Sequence, residues 1–436
     1  MAIYLYILFA WEIILFMFCW NKFRHNLFSP STISLIVFLL GTYLNILCID
    51  FLDIKFYPQT LLVIGLGLLT MVIAESFAYR PAVIRKSNIK LIKVSPALQW
   101  IMAISSVIAS LLYYRAMLNL GASLGFGGAE AIGYIKENYG EGNIQINPIV
   151  RQGYKFVIAL AYISIFLFSN NYFVCKEKLR KCILLIVPYF SGFFINIASG
   201  GRTDMMRLIV VGGLIIYTQF WQASNWKRKG NAKILKVSLP IILLASFIFF
   251  GARLFVKSNT DAQAQMGGPL EYFAYYIGSP IQVLNLHLNE IKNVGIDREN
   301  ATFGSNTFVS VYEMLGVKTK GTNVGSGFIY VGGDSNAAGN VQTIFGPSYL
   351  DWGLFGMCIY VFLLYFLISL FWYRKIQSST FNRKNVIKLM AYSYVFFIPS
   401  LSFYDDGLKW LIGQTGILQF IVIMLFTYFI TRKEIK

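Results

Sequence analysis

Long apolar runs recur along most of this 436-residue chain and constrain its fold more than any other feature. Each run has about 18 to 24 residues, the length that an α-helix needs to cross the hydrocarbon core of a bilayer. Charged residues make up only 13% of the sequence, against about a quarter in soluble domains. The sequence therefore predicts an all-α, polytopic helical membrane protein. A β-barrel would instead show alternating segments of about ten residues.

A helix placed on each apolar run predicts about eleven membrane spans. They are Ile3–Trp20, Thr32–Phe51, Pro58–Ala78, Ala97–Leu118, Tyr154–Asn171, Ile183–Ala198, Met205–Gln222, Val237–Val256, Pro347–Tyr373, Val386–Phe403 and Leu411–Ile430. We expect one transmembrane domain over residues 1–436, with two long loops at 119–153 and 257–346. A loop of about ninety residues is too long for a spacer and usually has a function. Short helices are expected in these loops at Ala129–Tyr139, Pro269–Lys292 and Thr307–Leu315.

The net charge of +18 is distributed in a way that indicates orientation. Alternate connections between the spans hold the basic clusters, of which Arg80–Lys93, Lys176–Lys181 and Lys227–Lys236 are examples. The positive-inside rule makes these connections cytoplasmic, with the N-terminus outside and the C-terminus inside. Both long loops then lie outside, where nucleotides are absent, so a synthetic reaction there needs a substrate that is already activated. Nucleic acid is not an expected partner, because a nucleic-acid footprint must be a localised basic surface.

Five arginines fall near the outer ends of four spans and are candidate ligands for a diphosphate. Arginine binds phosphate with two parallel hydrogen bonds and keeps its charge when partly desolvated. Lipid-headgroup contact is the alternative explanation for each of them alone. The five are Arg115, Arg151, Arg202, Arg207 and Arg253.

The segment Ala198–Arg207 is the most specific setting for one of these arginines. Its glycines permit a tight turn before a helix, Thr203 or Asp204 is expected to cap that helix, and its free N–H groups favour an anion beside Arg202. A plain helix start with an Asp204–Arg207 pair is the alternative.

Four acids are candidates for the base that accepts a proton: Asp204, Glu271, Asp334 and Asp351. For Asp351 the alternative is a cap on its own helix, favoured by the helix macrodipole. The one outer histidine, His287, is interpreted as a solvated side chain, and Glu12 as a nearly isolated intramembrane acid. Asp405 and Asp406 resemble half of a metal site without a partner cluster.

The polar, glycine-rich stretch Asn323–Gly356 runs directly into a predicted span, and its last part carries a recognisable pattern. An Asn is followed by a Thr, a Pro, Tyr-Leu-Asp, an aromatic residue and Gly-x-x-Gly; the residues are Asn340, Thr343, Pro347, Tyr349, Leu350, Asp351, Trp352, Gly353 and Gly356. A second pattern, Ser-Gly-Gly-Arg-Thr before a span, is Ser199–Thr203. Both resemble the bacterial Wzy family, the O-antigen or oligosaccharide repeat-unit polymerases. Trp352 stands where the family usually has Phe.

The resemblance implies a GT-C-type glycosyltransferase that joins repeat units carried on undecaprenyl diphosphate, at the outer face of the cytoplasmic membrane. In this interpretation Arg202 is the first candidate for the diphosphate, followed by Arg207, Arg253, Arg151 and Arg115. Asn340, Thr343 and Tyr349 would shape the glycan site. No cofactor and no metal are expected, and the expected partners are membrane lipids, a flippase and a chain-length regulator.

Two other functions fit the sequence less well. An O-antigen ligase would share the chemistry and differ in its acceptor. A flippase or other transporter for lipid-linked oligosaccharides would have polar residues through the bilayer midplane, whereas here polar residues gather in the outer loops.

Overall fold

A computed structural model describes residues 3–50, 53–85, 88–128, 131–132, 134–135, 146–227, 269–325, 329–330 and 338–432 of the chain. Three predicted features lie outside these residues: the span Val237–Val256 with Arg253, the acid Asp334, and most of the short helix Ala129–Tyr139.

The described residues form an all-helical protein with one pair of two-residue strands. The longer helices are α1 (Ile3–Lys22), α2 (Pro30–Leu47), α3 (Pro58–Ala78), α4 (Pro96–Ser123), α5 (Pro148–Phe168), α6 (Leu179–Ala198), α7 (Arg202–Ala223), α8 (Pro269–Val294), α10 (Phe345–Phe371), α11 (Arg383–Val395) and α14 (Gln414–Arg432). Short helices are α9 (Val309–Met314), α12 (Phe397–Ser400) and α13 (Gly407–Ile412), and strands β1 (Ile329–Tyr330) and β2 (Ala338–Gly339) pair antiparallel. Turns of π-helix extend α5 through Val174 and α10 through Ile376.

Within the described residues, eight helices are long and apolar enough to cross a membrane. They are α1 to α6, α10 and α14, with α5 and α10 counted together with their π-helical turns. The prediction of a polytopic helical membrane protein is confirmed. The predicted helices Pro269–Lys292 and Thr307–Leu315 are also present, as α8 and α9.

The predicted span Val386–Phe403 is wrong. The chain breaks there into α11, which ends at Val395, and the four-residue α12. Pro399 has no N–H to donate to the carbonyl of Val395, four residues earlier, and a missing bond of this kind favours a kink or a break in the helix. The following segment then turns through buried Asp405 and Asp406, and α14 begins at Gln414.

The chain divides into two compact units. The first comprises residues 1–81, 260–374 and 395–417, and the second residues 82–259, 375–394 and 418–436. In the first unit α3 packs along α10, and α2 packs against α1 and α8. In the second unit α5 packs against α4, α6 and α7. Every residue of α5 from Val157 to Phe168 is buried, as expected for a helix that is apolar on all sides.

A buried carboxylate ties three helices of the first unit together. Glu75 in α3 is fully buried. It accepts hydrogen bonds from the Ser31 N–H at 2.5 Å and from the Tyr373 hydroxyl. Glu12 accepts one from Thr42 at 2.9 Å. The sequence suggested that Glu12 is a nearly isolated intramembrane acid. This interpretation is wrong, because Glu75 is a second buried acid, with hydrogen-bond donors from α2 and from the end of α10.

Replacing Glu75 with alanine should lower the free energy of unfolding by about 3 kcal/mol, because two buried donors lose their acceptor. Thermal unfolding of the detergent-solubilised protein measures this. Glu290→Ala is the matched control, because Glu290 is exposed in the same unit and should change stability by less than about 0.5 kcal/mol. Equal unfolding temperatures for the two variants would contradict the prediction.

Candidate functional site

A buried arginine organises the N-terminal end of α7 in the second unit. Arg207 is 6% exposed. Its Nε donates to the Tyr162 hydroxyl of α5 at 3.2 Å, and its guanidinium carbon lies 4.2 Å from the centre of the Tyr394 ring of α11. A guanidinium on an aromatic face is attracted by the ring quadrupole, and the attraction strengthens when water is excluded. Arg207 is thus fixed by two side chains from two other helices.

The turn that leads into α7 is built as the sequence predicts, but its cap differs. Gly200 has φ 68°, a conformation that costs glycine little, and the Gly201 N–H donates back to the Asn196 carbonyl at 2.8 Å. The helix begins at Arg202 with Gly201 as its N-cap residue, and glycine has no side chain that could cap it. The expected cap by Thr203 or Asp204 is therefore wrong, since Asp204 lies inside the first turn.

Asp204 instead joins a polar cluster with α5 and α6. The Tyr154 hydroxyl lies 2.6 Å from Asn196 Oδ1 and 3.2 Å from Asp204 Oδ2, so its one proton is shared between two acceptors. The negative charge of Asp204 also acts on Arg207. We call Tyr154, Tyr162, Asp204, Arg207 and Tyr394 the arginine cluster. It combines a cation, a carboxylate and three phenols in a buried setting, which suits an anionic ligand whose charge must be balanced.

The other predicted arginines are less clearly placed. Arg115 is exposed on α4 and Arg151 is partly exposed on α5, both in the same unit as Arg207. Arg202 is the first residue of α7, but its side chain lies outside the described part, as does all of Arg253. Sequence reasoning ranked Arg207 below Arg202 and did not find Tyr154, Tyr162 or Tyr394, which come from two distant helices, α5 and α11.

In the first unit, Asp351 holds a neighbouring loop. Its carboxylate accepts hydrogen bonds from the N–H and side-chain amide of Asn306 and from the N–H and hydroxyl of Thr307, at 2.7 to 3.2 Å. The interpretation of Asp351 as a cap on its own helix is therefore wrong. Its donors belong to the segment that leads into α9.

A break in α10 explains why Asp351 can face that loop. Gly353 has φ 70° and ψ −170°, which interrupts the helix between Phe345 and Phe371. Arg298 donates to the carbonyls of Leu350 and Tyr349 at 2.9 and 3.1 Å, just before the break. A cation that binds the last carbonyls of a helical segment stabilises its C-terminal end. Sequence analysis missed Arg298, whose partners are more than fifty residues away.

The remaining residues of this segment differ in exposure. Asn340 is exposed, Thr343 is buried, and Tyr349 is partly exposed with its ring 5.9 Å from the guanidinium of Arg298. The Thr343 hydroxyl accepts from the Phe345 N–H at 3.3 Å, at the start of α10. Glu271 lies in α8, but its side chain is outside the described part.

His287 is buried, so its interpretation as a solvated side chain is wrong. It is 3% exposed, and its Nδ1 is 3.1 Å from Gln342 Oε1. Burial lowers the pKa of His287, while the Gln342 hydrogen bond and the charge of Glu290 oppose that shift. The neutral ring is thus favoured, and it links α8 to the segment that precedes α10.

Asp405 and Asp406 are both engaged by side chains of the first unit. Asp405 pairs with Lys409 at 2.6 Å. Asp406 caps α13 through the Leu408 N–H and accepts from the Tyr360 hydroxyl at 2.6 Å. Among the described residues, no group of three or more His, Cys, Asp and Glu side chains could hold a metal ion.

The helices and the buried arginine cluster define a multi-pass membrane protein with a polar site among its helices. A family model described as "Putative O-antigen polymerase" matches residues 146–426, which is more than half of the chain. The chain belongs to the O-antigen polymerase family, as its resemblance to Wzy proteins predicted. No match was found among curated proteins or among solved structures. The matched residues include the arginine cluster and the segment around Asp351.

Asp351→Asn should speed amide hydrogen exchange at Asn306 and Thr307 by about tenfold or more, because the loop loses its charged acceptor. Exchange measured by mass spectrometry checks this, with Glu299→Gln, an exposed acid nearby, as the control. If Asp351→Asn abolished glycan polymerisation and left exchange unchanged, Asp351 would be the base and not a structural anchor.

The buried Asp406 should make stability fall as pH rises. Burial raises its pKa from 3.8 to about 6, against the opposing hydrogen bond from Tyr360. The folded protein therefore binds more protons than the unfolded chain between these values. The free energy of unfolding should decrease by about 3 kcal/mol between about pH 4 and about pH 7.

Thermal unfolding across this pH range tests the prediction. Asp406→Asn should remove this part of the dependence, whereas Asp53→Asn, at an exposed acid of the same unit, should leave it. A profile for Asp406→Asn that parallels the wild-type profile would contradict the role of Asp406.

Proposed function

We propose that the protein is a GT-C-type glycosyltransferase that polymerises oligosaccharide repeat units carried on undecaprenyl diphosphate. Family membership already assigns a polymerase role in O-antigen synthesis and a lipid-linked oligosaccharide substrate in a membrane. The single structural observation that supports the finer proposal is the buried guanidinium of Arg207, fixed by Tyr162 and Tyr394. A fixed buried cation is suited to a diphosphate leaving group.

The proposed reaction forms one C–O bond at the anomeric carbon and breaks another. A hydroxyl of one lipid-linked unit attacks the anomeric carbon of the growing glycan, and the bond from that carbon to the lipid diphosphate breaks. The bonding electron pair leaves with the diphosphate, and the hydroxyl proton passes to a base. The diphosphate is already activated, so the step needs no nucleotide. The negative charge that develops on the leaving oxygen is the charge that Arg207 would stabilise.

Asp204 is the base candidate that the described geometry favours. It lies in the arginine cluster, and its Oδ2 shares the Tyr154 proton with Asn196, so a proton can be exchanged there without a large movement. Asp351 is already occupied by four hydrogen-bond donors of the loop. Glu271 and Asp334 stay candidates on sequence grounds alone, as do Arg202 and Arg253 for the diphosphate.

The proposed location is the outer face of the cytoplasmic membrane, with the N-terminus outside and the C-terminus inside. The basic connections of the chain support this orientation. A flippase would deliver the substrate to that face, and a chain-length regulator is an expected partner. Asn340 and Tyr349, which keep exposed surface, would contact the glycan, and Thr343 would hold their segment.

The first test supplies membranes containing the protein with lipid-linked repeat units and separates the products by size. A ladder of longer lipid-linked glycans is expected from the wild-type protein. Transfer to lipid A-core alone would indicate a ligase, and movement of the substrate across the membrane without chain growth would indicate a flippase. Either result would overturn the proposal.

Arg207→Ala should slow ladder formation by about 100-fold, because a fixed donor to the leaving group is lost. Arg207→Lys should recover only part of the rate, since lysine keeps the charge but lacks the planar fork of donors. Rates are compared at equal protein levels in the membrane.

Arg180→Ala is the control for these variants. Arg180 is an exposed arginine at the start of α6 in the same unit, and its replacement should leave the rate unchanged. A normal ladder from well-folded Arg207→Ala would remove Arg207 from the proposed site.

A further inference from the structure

An apolar groove runs between α1 and α3 of the first unit. Its volume is about 450 Å³, and it extends from Ile14 to Lys22 on α1 and from Leu69 to Phe77 on α3. All of its lining lies in the first unit, whereas the arginine cluster lies in the second. The groove is therefore separate from the site described above.

Two rows of side chains, each repeating every four residues, form the walls of this groove. The rows are Ile14, Phe18 and Lys22 on α1 and Leu69, Ile73 and Phe77 on α3. Side chains four residues apart lie above one another on one face of a helix. Leu15 and Val72 also line the groove and are buried, so they form its floor.

The upper edges of the walls are open to the surroundings of the protein. Ile14, Phe18, Ile73 and Phe77 are all exposed, although each is a large apolar residue. Both α1 and α3 are long and apolar enough to cross a membrane. Side chains exposed on such helices face the hydrocarbon of the bilayer, so the groove is accessible to the chains of lipids.

The groove has the length of one leaflet of the bilayer. From Ile14 to Lys22 the helix rises by about 12 Å, at about 1.5 Å per residue. Half of the hydrocarbon core of a bilayer is about 15 Å thick. Lys22 is the last residue of α1, and α3 ends one residue after Phe77. The groove thus runs from near the bilayer centre to one membrane surface, as a single acyl chain does.

A positive charge lies at the surface end of the groove. Lys22 is exposed, and its Nζ lies 5.2 Å from the centre of the Phe18 ring, so the ammonium stays over the groove wall. Glu75 belongs to α3 but is fully buried and does not line the groove. Its carboxylate accepts from Ser31 and Tyr373 instead. Among the described residues that line the groove, Lys22 alone is charged.

We propose that this groove binds an anionic phospholipid, with one acyl chain between α1 and α3 and the headgroup phosphate on Lys22. A phospholipid carries its phosphate directly above its acyl chains, which is the order that the groove offers along its length. Charge complementarity with Lys22 selects a lipid of net negative charge over a zwitterionic one. The proposal does not depend on the proposed function.

The test measures lipid binding by the purified full-length protein in a neutral detergent, with bound lipid counted by native mass spectrometry. The probes are phosphatidylglycerol, phosphatidylcholine and undecaprenyl phosphate. Lys22→Gln removes the charge, and Lys22→Arg keeps it. Arg24→Gln is the matched control, because Arg24 is exposed at the same end of α1 and does not line the groove.

A further variant tests the acyl chain apart from the headgroup. Ser76 lines the groove, and Ser76→Leu places a larger side chain there without changing any charge. The unfolding temperature without added lipid checks that each variant is folded. Because Lys22 is exposed, Lys22→Gln should unfold at the wild-type temperature.

Wild-type protein should bind phosphatidylglycerol about fivefold more tightly than phosphatidylcholine, the preference expected from one basic residue near a membrane surface. Lys22→Gln should lose this preference, whereas Lys22→Arg and Arg24→Gln should keep it. Ser76→Leu should bind both phospholipids more weakly, because the chain loses its place between the helices.

Four results would overturn the proposal. Equal wild-type affinity for the two phospholipids removes the charge selection. An equal loss in Arg24→Gln and Lys22→Gln identifies a general attraction to a basic helix end. Unchanged binding by folded Ser76→Leu removes the acyl chain from the groove. Undecaprenyl phosphate that binds more tightly than phosphatidylglycerol, and is lost in Lys22→Gln, assigns the groove to the substrate carrier instead.

Discussion

Hydrocarbon offers no hydrogen bonds, so every polar group buried among membrane helices needs a partner inside the protein. Several buried charged groups among the described residues meet this requirement through contacts between helices. Glu75 gathers donors from α2 and from the end of α10, and Arg207 is held by phenols from α5 and α11. Within each unit these contacts fix which helix faces meet.

The helical class was predictable because apolar length is a local property of the sequence. Most predicted spans agree with observed helices to within a few residues, and Pro58–Ala78 agrees at both ends. The span Val386–Phe403 failed because a mainly apolar composition does not show where a helix breaks, and the break lies where Pro399 leaves the carbonyl of Val395 without its helical donor. Glu75 went unnoticed because its partners are 44 and 298 residues away.

For the candidate site, too, the sequence predicted the local features and missed the long-range contacts. The arginines and the Asn340–Gly356 pattern were visible because residue type and spacing mark them. Their contacts were not visible in the sequence. Asp351 accepts hydrogen bonds from a loop 44 to 45 residues earlier in the chain, and His287 lies beside Gln342, which is 55 residues away. A carboxylate that looked like a helix cap is a loop anchor, and a histidine that looked solvated is buried. Residue types thus indicated the chemistry, and only the fold shows which side chains are already engaged.

The central claim is that bond formation is driven by departure of a lipid diphosphate. The most direct measurement gives the purified protein only lipid-linked repeat units and counts both products by mass spectrometry. The account predicts one released lipid diphosphate for each new glycosidic bond, with longer glycans on the remaining carrier and no requirement for a nucleotide. Longer glycans that form only when a nucleotide sugar is added, or lipid diphosphate released without any longer glycan, would contradict it.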